Sequence, residues 1–196
     1  MRFDKGHKEQ TRRRIVETAA RRFRKEGVEA VGIAGLMADA GLTHGGFYAH
    51  FASKEELVRA ALEEASAQSA ARRATVIEQA APGLGPLEAM VRNYLRPAHR
   101  DAPEQGCAAA ALIAEIARRE PETRDDYAAR LKELVAEFEA ALPAEMEPEQ
   151  KLHRAIGIFG VMLGTLQMSR AVTDPVISDK ILESGIEAAL ALAAAR

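Results

Sequence analysis

An all-α fold is predicted by three features of this chain. Apolar residues recur at helical spacing, no alternating run is long enough for a useful strand, and prolines at first-turn positions and glycines at stretch ends punctuate the helical pattern. No repeat or low-complexity tract intervenes beyond Ala enrichment, and the pattern resolves into about nine helices. With 47% hydrophobic and 29% charged residues, the 196-residue chain can bury the core of one or two small domains, which excludes disorder.

The first helix runs from about His7 to Glu26, with Ile15, Val16, Ala19, Ala20 and Phe23 on one face, arginines around the other, and a stop at Gly27. The second covers about Ile33 to Ala40, where Ile33, Leu36, Met37 and Ala40 keep helical spacing and Gly41 supplies the left-handed end. Thr43 stands as cap of the third, about His44 to His50, with its hydroxyl free for a backbone amide or a phosphate. Ser53 and Glu56 form a capping box for the fourth, which continues to about Ala80 and breaks at the Pro-Gly-Leu-Gly-Pro run 82–86. That helix is on the order of 40 Å long and leads from the head into the body.

The fifth helix is expected from Pro86 to about His99, the sixth from about Gly106 to Arg119, and the seventh from Pro121 to about Leu142. Pro148 and Pro175 open the eighth and ninth. The eighth carries Gly157, Gly160 and Gly164 among Ile156, Ile158, Phe159, Val161, Met162, Leu163 and Leu166, so it is apolar on nearly every side and needs cover all round. The ninth presents Ile177, Ile181, Ile186 and Leu190.

Residues 32–54 have the order helix, Gly-containing turn, helix, then an aromatic and basic cluster leading into a long helix, which is the order of a helix-turn-helix DNA reader. The charge distribution agrees. Residues 1–54 hold 11 Lys and Arg against 6 Asp and Glu, whereas the remainder holds 16 against 23. A basic head attracts phosphate and an acidic body is repelled by it. Taken alone, Arg12, Arg13, Arg14, Arg21, Arg22 and Arg24 also read as the solvated face of a helix. The single cysteine, Cys107, permits no internal disulfide, and the opening residues lack the pattern of a secretory signal, so a cytoplasmic protein is expected. The uncharged stretch Ala155 to Ser169 is too short to span a bilayer and reads as a buried helix.

The stretch GLTHGGFYAHFASKEEL, residues 41–57, resembles the signature of the TetR/AcrR (tetracycline-repressor-like) family of transcriptional regulators in its turn glycine, aromatic pair, His-Phe and the Lys that opens the next helix. The resemblance implies an N-terminal three-helix DNA-binding domain over 1–53 and a helical effector-binding and dimerisation domain over 54–196. It implies DNA contacts by Thr43, His44, Gly45, Tyr48, His50 and Lys54, while Phe47 and Phe51 hold the head together. A packed ring is the other reading of Tyr48, and a core or capping histidine that of His50.

Gly45 and Gly46 are each unfavourable in a helix by about 1 kcal/mol relative to Ala, which suits close backbone approach to a phosphate or base edge. The chain departs from the family pattern at Gly32, Met37, Gly46 and Ala49. Fewer polar side chains remain to read bases, so recognition is expected to lean on His44, Tyr48, phosphate contacts and DNA shape.

The resemblance also implies a small, mostly apolar effector bound among the fourth to eighth helices, with Met90, Asn93, Tyr94, Cys107, Leu112, Ile116, Tyr127, Phe159 and Met162 as candidate lining, although each also suits a helical core. It implies a homodimer through helices 8 and 9, where small glycines permit close approach; a monomer core is the alternative. The function so read is a homodimeric repressor released from a palindromic operator by a small-molecule effector. Two further readings stand beside it: a helical interaction module without DNA binding, and a repressor sensing electrophiles or oxidants through Cys107, which follows Gly106 near a helix start. No metal-spaced pair, nucleophile elbow or phosphate-cradling loop points to an enzyme, a cofactor or a metal, and no membrane partner is expected.

Overall fold

In the computed structural model, which describes residues 5–194, the α-helices are α1 (Lys5–Glu26), α2 (Ile33–Asp39), α3 (Lys54–Glu78), α4 (Pro86–Tyr94), α5 (Pro97–Asp101), α6 (Ala108–Ile116), α7 (Pro121–Ala140), α8 (Pro148–Ala171) and α9 (Pro175–Ala194). Short 3-10 segments cover His44–Ala49 and Pro103–Gln105, and there is no strand among the described residues. The fold is all α. No helix among the described residues is long and apolar enough to cross a membrane.

Two expected helices take a different form. The third is a 3-10 helix, closed by Gly46 N–H to Thr43 O at 3.0 Å and His50 N–H to Phe47 O at 2.9 Å. Two successive glycines lower the advantage of the α form, and a short, clamped segment tolerates the tighter winding. The fifth is two helices, because Pro97 pushes Arg96 out of the helical region to φ −105°, ψ 151°. Half of the capping box forms as expected, with Glu56 N–H donating to Ser53 Oγ at 3.1 Å, while the Glu56 carboxylate reaches one residue past the cap and accepts from Ala52 N–H at 2.8 Å.

By internal contacts the chain forms two compact units, one of residues up to Gln68 with Pro103–Tyr127, the other of Ser69–Ala102 with the residues from Ala128 on. This partition follows packing, whereas a division at 53 and 54 follows the order of elements. In the first unit, Ile15, Ala19 and Phe23 of α1 meet Leu36 and Met37, Phe47 and Phe51, Leu57 of α3, and Leu112 and Ile116 of α6 in one buried cluster.

Gly27 ends α1 at φ +84°, and a Cβ there would fall on the Glu115 carboxylate of α6. That carboxylate accepts from Val28 N–H at 2.9 Å and Glu29 N–H at 3.3 Å. Arg119 pairs with Glu29, with Glu55 at 3.4 Å and with Glu115 at 3.7 Å, while Thr123 Oγ1 donates to Glu55 at 2.6 Å.

In the second unit α8 packs along α9. Its core includes Phe138, Ile158, Phe159, Met162 and Leu166. The buried stripe of α9 is Ser178, Leu182, Gly185 and Ala189 rather than the isoleucines. A Cβ at Gly185 would collide with the Thr165 side chain, so the glycine sets how closely the helices pass.

Candidate nucleic-acid interface

The reading turn hangs on two buried rings. Phe47 and Phe51 stack at 5.6 Å between centroids, and the Arg12 guanidinium lies 4.6 Å over Phe51, so both rings hold the head together as expected. Gly41, at φ +69°, turns the chain after α2, with Leu42 N–H bonded to Met37 O at 2.8 Å. Thr43 then enters the 3-10 segment from an extended conformation and is exposed, its hydroxyl capping no helix N–H.

On the outer side, His44 is exposed and faces Tyr48 edge-on at 6.4 Å, while Tyr48 meets the buried Phe47 edge-on at 5.2 Å and remains 64% exposed. A Cβ on Gly45 would meet nothing within 4 Å, and one on Gly46 only Met37 and Thr43 at an ordinary 3.7 Å. Neither glycine is required by the protein's own packing.

His50 and Lys54 are less free than the sequence suggests. The His50 Nδ1 is buried without a partner, and burial, with Lys8 and Arg12 adding to it, lowers the ring's pKa below the ordinary histidine value. Lys54 Nζ donates to Val28 O at 2.7 Å, stitching the start of α3 to the segment after α1. Nothing in the sequence pairs Lys54 with a carbonyl 26 residues away, and nothing in it marks Glu115 as the group that holds that same segment.

Among the α1 arginines, Arg13 pairs with Glu17 at 2.7 Å and Arg22 with Glu26 and Asp39. Arg24 is buried, bonded to Gly106 O and Gln68. Arg14 and Arg21 are exposed, and their side chains form no hydrogen bond or ion pair among the described residues.

The nine candidate lining residues fall into two groups. Cys107, Leu112, Ile116 and Tyr127 belong to the first unit, where Leu112 and Ile116 are part of the buried cluster and Tyr127 packs against it. Cys107 is the half-buried cap residue of α6, beside a Tyr127 phenol whose pKa burial, and secondarily the nearby Cys107, pushes up to about 12. Met90, Asn93, Tyr94, Phe159 and Met162 belong to the second unit, where Met90 and Met162 are buried and Tyr94 lies edge-on to Phe159 at 6.3 Å.

A group absent from the sequence reading, His99, joins Tyr94 there: its Nδ1–H donates to the Tyr94 carbonyl at 2.7 Å, and burial lowers its pKa to about 4. A histidine at an expected helix end carries no sequence signal of such burial. No cluster of three His, Cys, Asp or Glu able to hold a metal occurs among the described residues.

A glycine turn between two helical segments, an outward Thr43, His44 and Tyr48, and an aromatic anchor beneath them define a helix-turn-helix protein. Residues 15–61 match the model of the bacterial regulatory proteins of the tetR family, so the head of the chain is similar to the DNA-binding head of that family.

The HTH-type transcriptional regulator TtgR of Pseudomonas putida is 41% identical over 63 residues, which span 32% of this chain and 30% of TtgR. The fold is like that of a TetR-family transcriptional regulator from Cytophaga hutchinsonii, with a TM-score of 0.77 at 16% identity over 97% of this chain and 98% of the other. It is also like that of AibR solved with isovaleryl coenzyme A and operator DNA, with a TM-score of 0.63 at 21% identity over 91% and 97%.

Proposed function

We propose that the protein is a homodimeric DNA-binding transcriptional repressor, acting in the cytoplasm and released from a palindromic operator by a small-molecule effector. The observation that carries this reading is the outward surface of Thr43, His44, Gly45 and Tyr48, anchored on buried Phe47 and Phe51 within a head similar to that of the tetR family. An exposed tyrosine and an unobstructed glycine backbone suit contact with a groove and its phosphates.

The dimer is supported by the other large exposed apolar side chains among the described residues, Leu152, Ile156, Met168, Val176, Ile177 and Leu192, which lie on α8 and α9. Helix α8 needs cover on nearly every side, and a second copy of the chain supplies it. That one chain takes both a small molecule and DNA is read by likeness to AibR, solved in complex with isovaleryl coenzyme A and operator DNA. The effector for this chain is a small molecule taken by the helical body. It acts by binding the DNA-incompetent state more tightly, since equal affinity for both states shifts nothing.

Enrichment of duplexes from a random-sequence pool tests the reading. The selected duplexes should carry paired half-sites about 34–36 Å apart, or a multiple of that spacing. Tyr48→Ala, with unchanged helix content, should bind them roughly tenfold or more weakly. A protein that enriches no sequence, or a Tyr48→Ala variant with parental affinity, overturns it.

A further inference from the structure

The reading motif, α2 with the 3-10 segment after it, begins and ends at one place. Val28 lies shortly before it and Lys54 shortly after it, and Lys54 Nζ donates to Val28 O at 2.7 Å, so a bond across 26 residues closes its neck. Arg119, in the turn between α6 and α7, spans the same neck from outside. It pairs with Glu29 and, at 3.4 Å, with Glu55, the residues that follow Val28 and Lys54 in the chain. Thr123 Oγ1 of α7 donates to the same Glu55 at 2.6 Å.

Glu115 of α6 completes the closure. Its carboxylate accepts from Val28 N–H at 2.9 Å and from Glu29 N–H at 3.3 Å, so both backbone polar groups of Val28 are taken by side chains of other elements. Val28 is buried, and either group left without its partner would be costly. Little else fixes the start of the motif: α2 has seven residues and no side-chain hydrogen bond at its cap. A helix that short takes its direction from its packing and from the chain that enters it.

We propose that Glu115, together with Lys54, positions the reading motif: the two side chains fix the peptide at its neck and thereby the direction in which the reading turn meets the duplex. This rests on the reading of the protein as a paired DNA binder. It gives a residue of α6 a part in selecting the half-site spacing, and it makes Lys54 a tie within the head rather than a phosphate contact. A carboxylate does not bind a phosphate, so the effect of Glu115 is diagnostic in its sign. Acting by charge alone, its removal would relieve repulsion and tighten duplex binding. Acting on the neck, its removal weakens binding and lets the reading turn accept a wrong spacing.

The experiment compares the full chain and its variants on a labelled duplex enriched from a random pool by the parent protein, and on the same duplex lengthened by a single base pair between the half-sites. Glu115→Ala, at unchanged helix content, should bind the enriched duplex roughly fivefold or more weakly and lose most of the parental preference for it over the lengthened one. Glu115→Gln, whose amide oxygen still accepts, should keep both near parental values. Lys54→Met, which keeps the stem without the donor, should lose the same preference at a parental slope of log affinity against log salt, whereas a lost phosphate contact would lower that slope by about 0.9. A folded Glu115→Ala that binds as tightly as the parent or more tightly, or that weakens on both duplexes equally, overturns the assignment. Should Glu115→Ala lose helix content, a parental preference or a lowered slope in Lys54→Met overturns it instead. A parent protein that enriches no paired duplex overturns the DNA-binding reading itself, and the positioning role with it.

Discussion

Gly45 is unfavourable for helical winding by about 1 kcal/mol relative to Ala, yet the space a Cβ would occupy there is empty. With no internal reason for a glycine there, the proposed DNA surface is what would come close to the backbone at this position. Gly45→Ala is therefore expected to leave the thermal midpoint unchanged or slightly raised and to weaken duplex binding by about tenfold or more, the order of one good contact. Melting followed by fluorescence anisotropy checks both halves, and parental affinity in the variant would remove the glycine from the interface.

Gly27 is the opposite case, since its positive φ and the Glu115 carboxylate where a Cβ would go both exclude a side chain. The turn glycine and the exposed aromatic were legible in the sequence because their effects are local. The partner that holds Gly27 in place was not, because it arrives from α6, more than eighty residues along the chain.

At the scale of elements, the break between α4 and α5 has a consequence for pH. Pro97 ends one helix and begins another, and the short α5 brings His99 back onto the Tyr94 carbonyl, where burial keeps it neutral. A histidine with its pKa lowered from about 6.5 to about 4 does not affect stability above pH 6.5, where folded and unfolded chains are both neutral at this position. As pH falls from 6.5 toward 4 the unfolded chain takes up the proton first, and the fold loses stability up to the order of 3 kcal/mol.

Urea denaturation across that range should show the loss, and His99→Asn, which keeps a donor near the position of Nδ1, should flatten it. An equally steep profile in the variant would assign the loss to other groups. The proline that forces the break is plain in the sequence. The burial it produces is not, because it depends on what α8 and its Arg170, bonded to the His99 and Arg100 carbonyls at 2.8 and 3.1 Å, bring to the turn.

At the scale of the whole molecule, α8 and α9 leave Ile156 and Met168 more than half exposed, at 52% and 59%. Apolar area covered by a second copy is worth roughly 25 cal/mol per Å², and a carboxylate placed in such an interface resists desolvation by several kcal/mol. Ile156→Glu with Met168→Glu is expected to yield a monomer of unchanged helix content by light scattering and circular dichroism, with weakened binding to paired half-sites. A double variant that remains dimeric at micromolar concentration would move the interface off this face.

By itself the sequence determined the all-α class, the positions of most helices, the reading turn and the aromatic anchor beneath it. Each of these follows from interactions within a few residues: the helical period, a left-handed glycine, a capping box, a proline without an N–H. Only the tertiary structure decided which face of each helix is buried and which distant group meets which. Lys54 meets Val28, Glu115 closes the end of α1, and α9 buries Ser178, Leu182, Gly185 and Ala189 while Ile177 stays exposed. The period of an amphipathic helix narrows the possible faces, but close packing against a particular neighbour selects among them, and at the crossing of α8 and α9 a glycine that admits the Thr165 side chain outweighs a row of isoleucines.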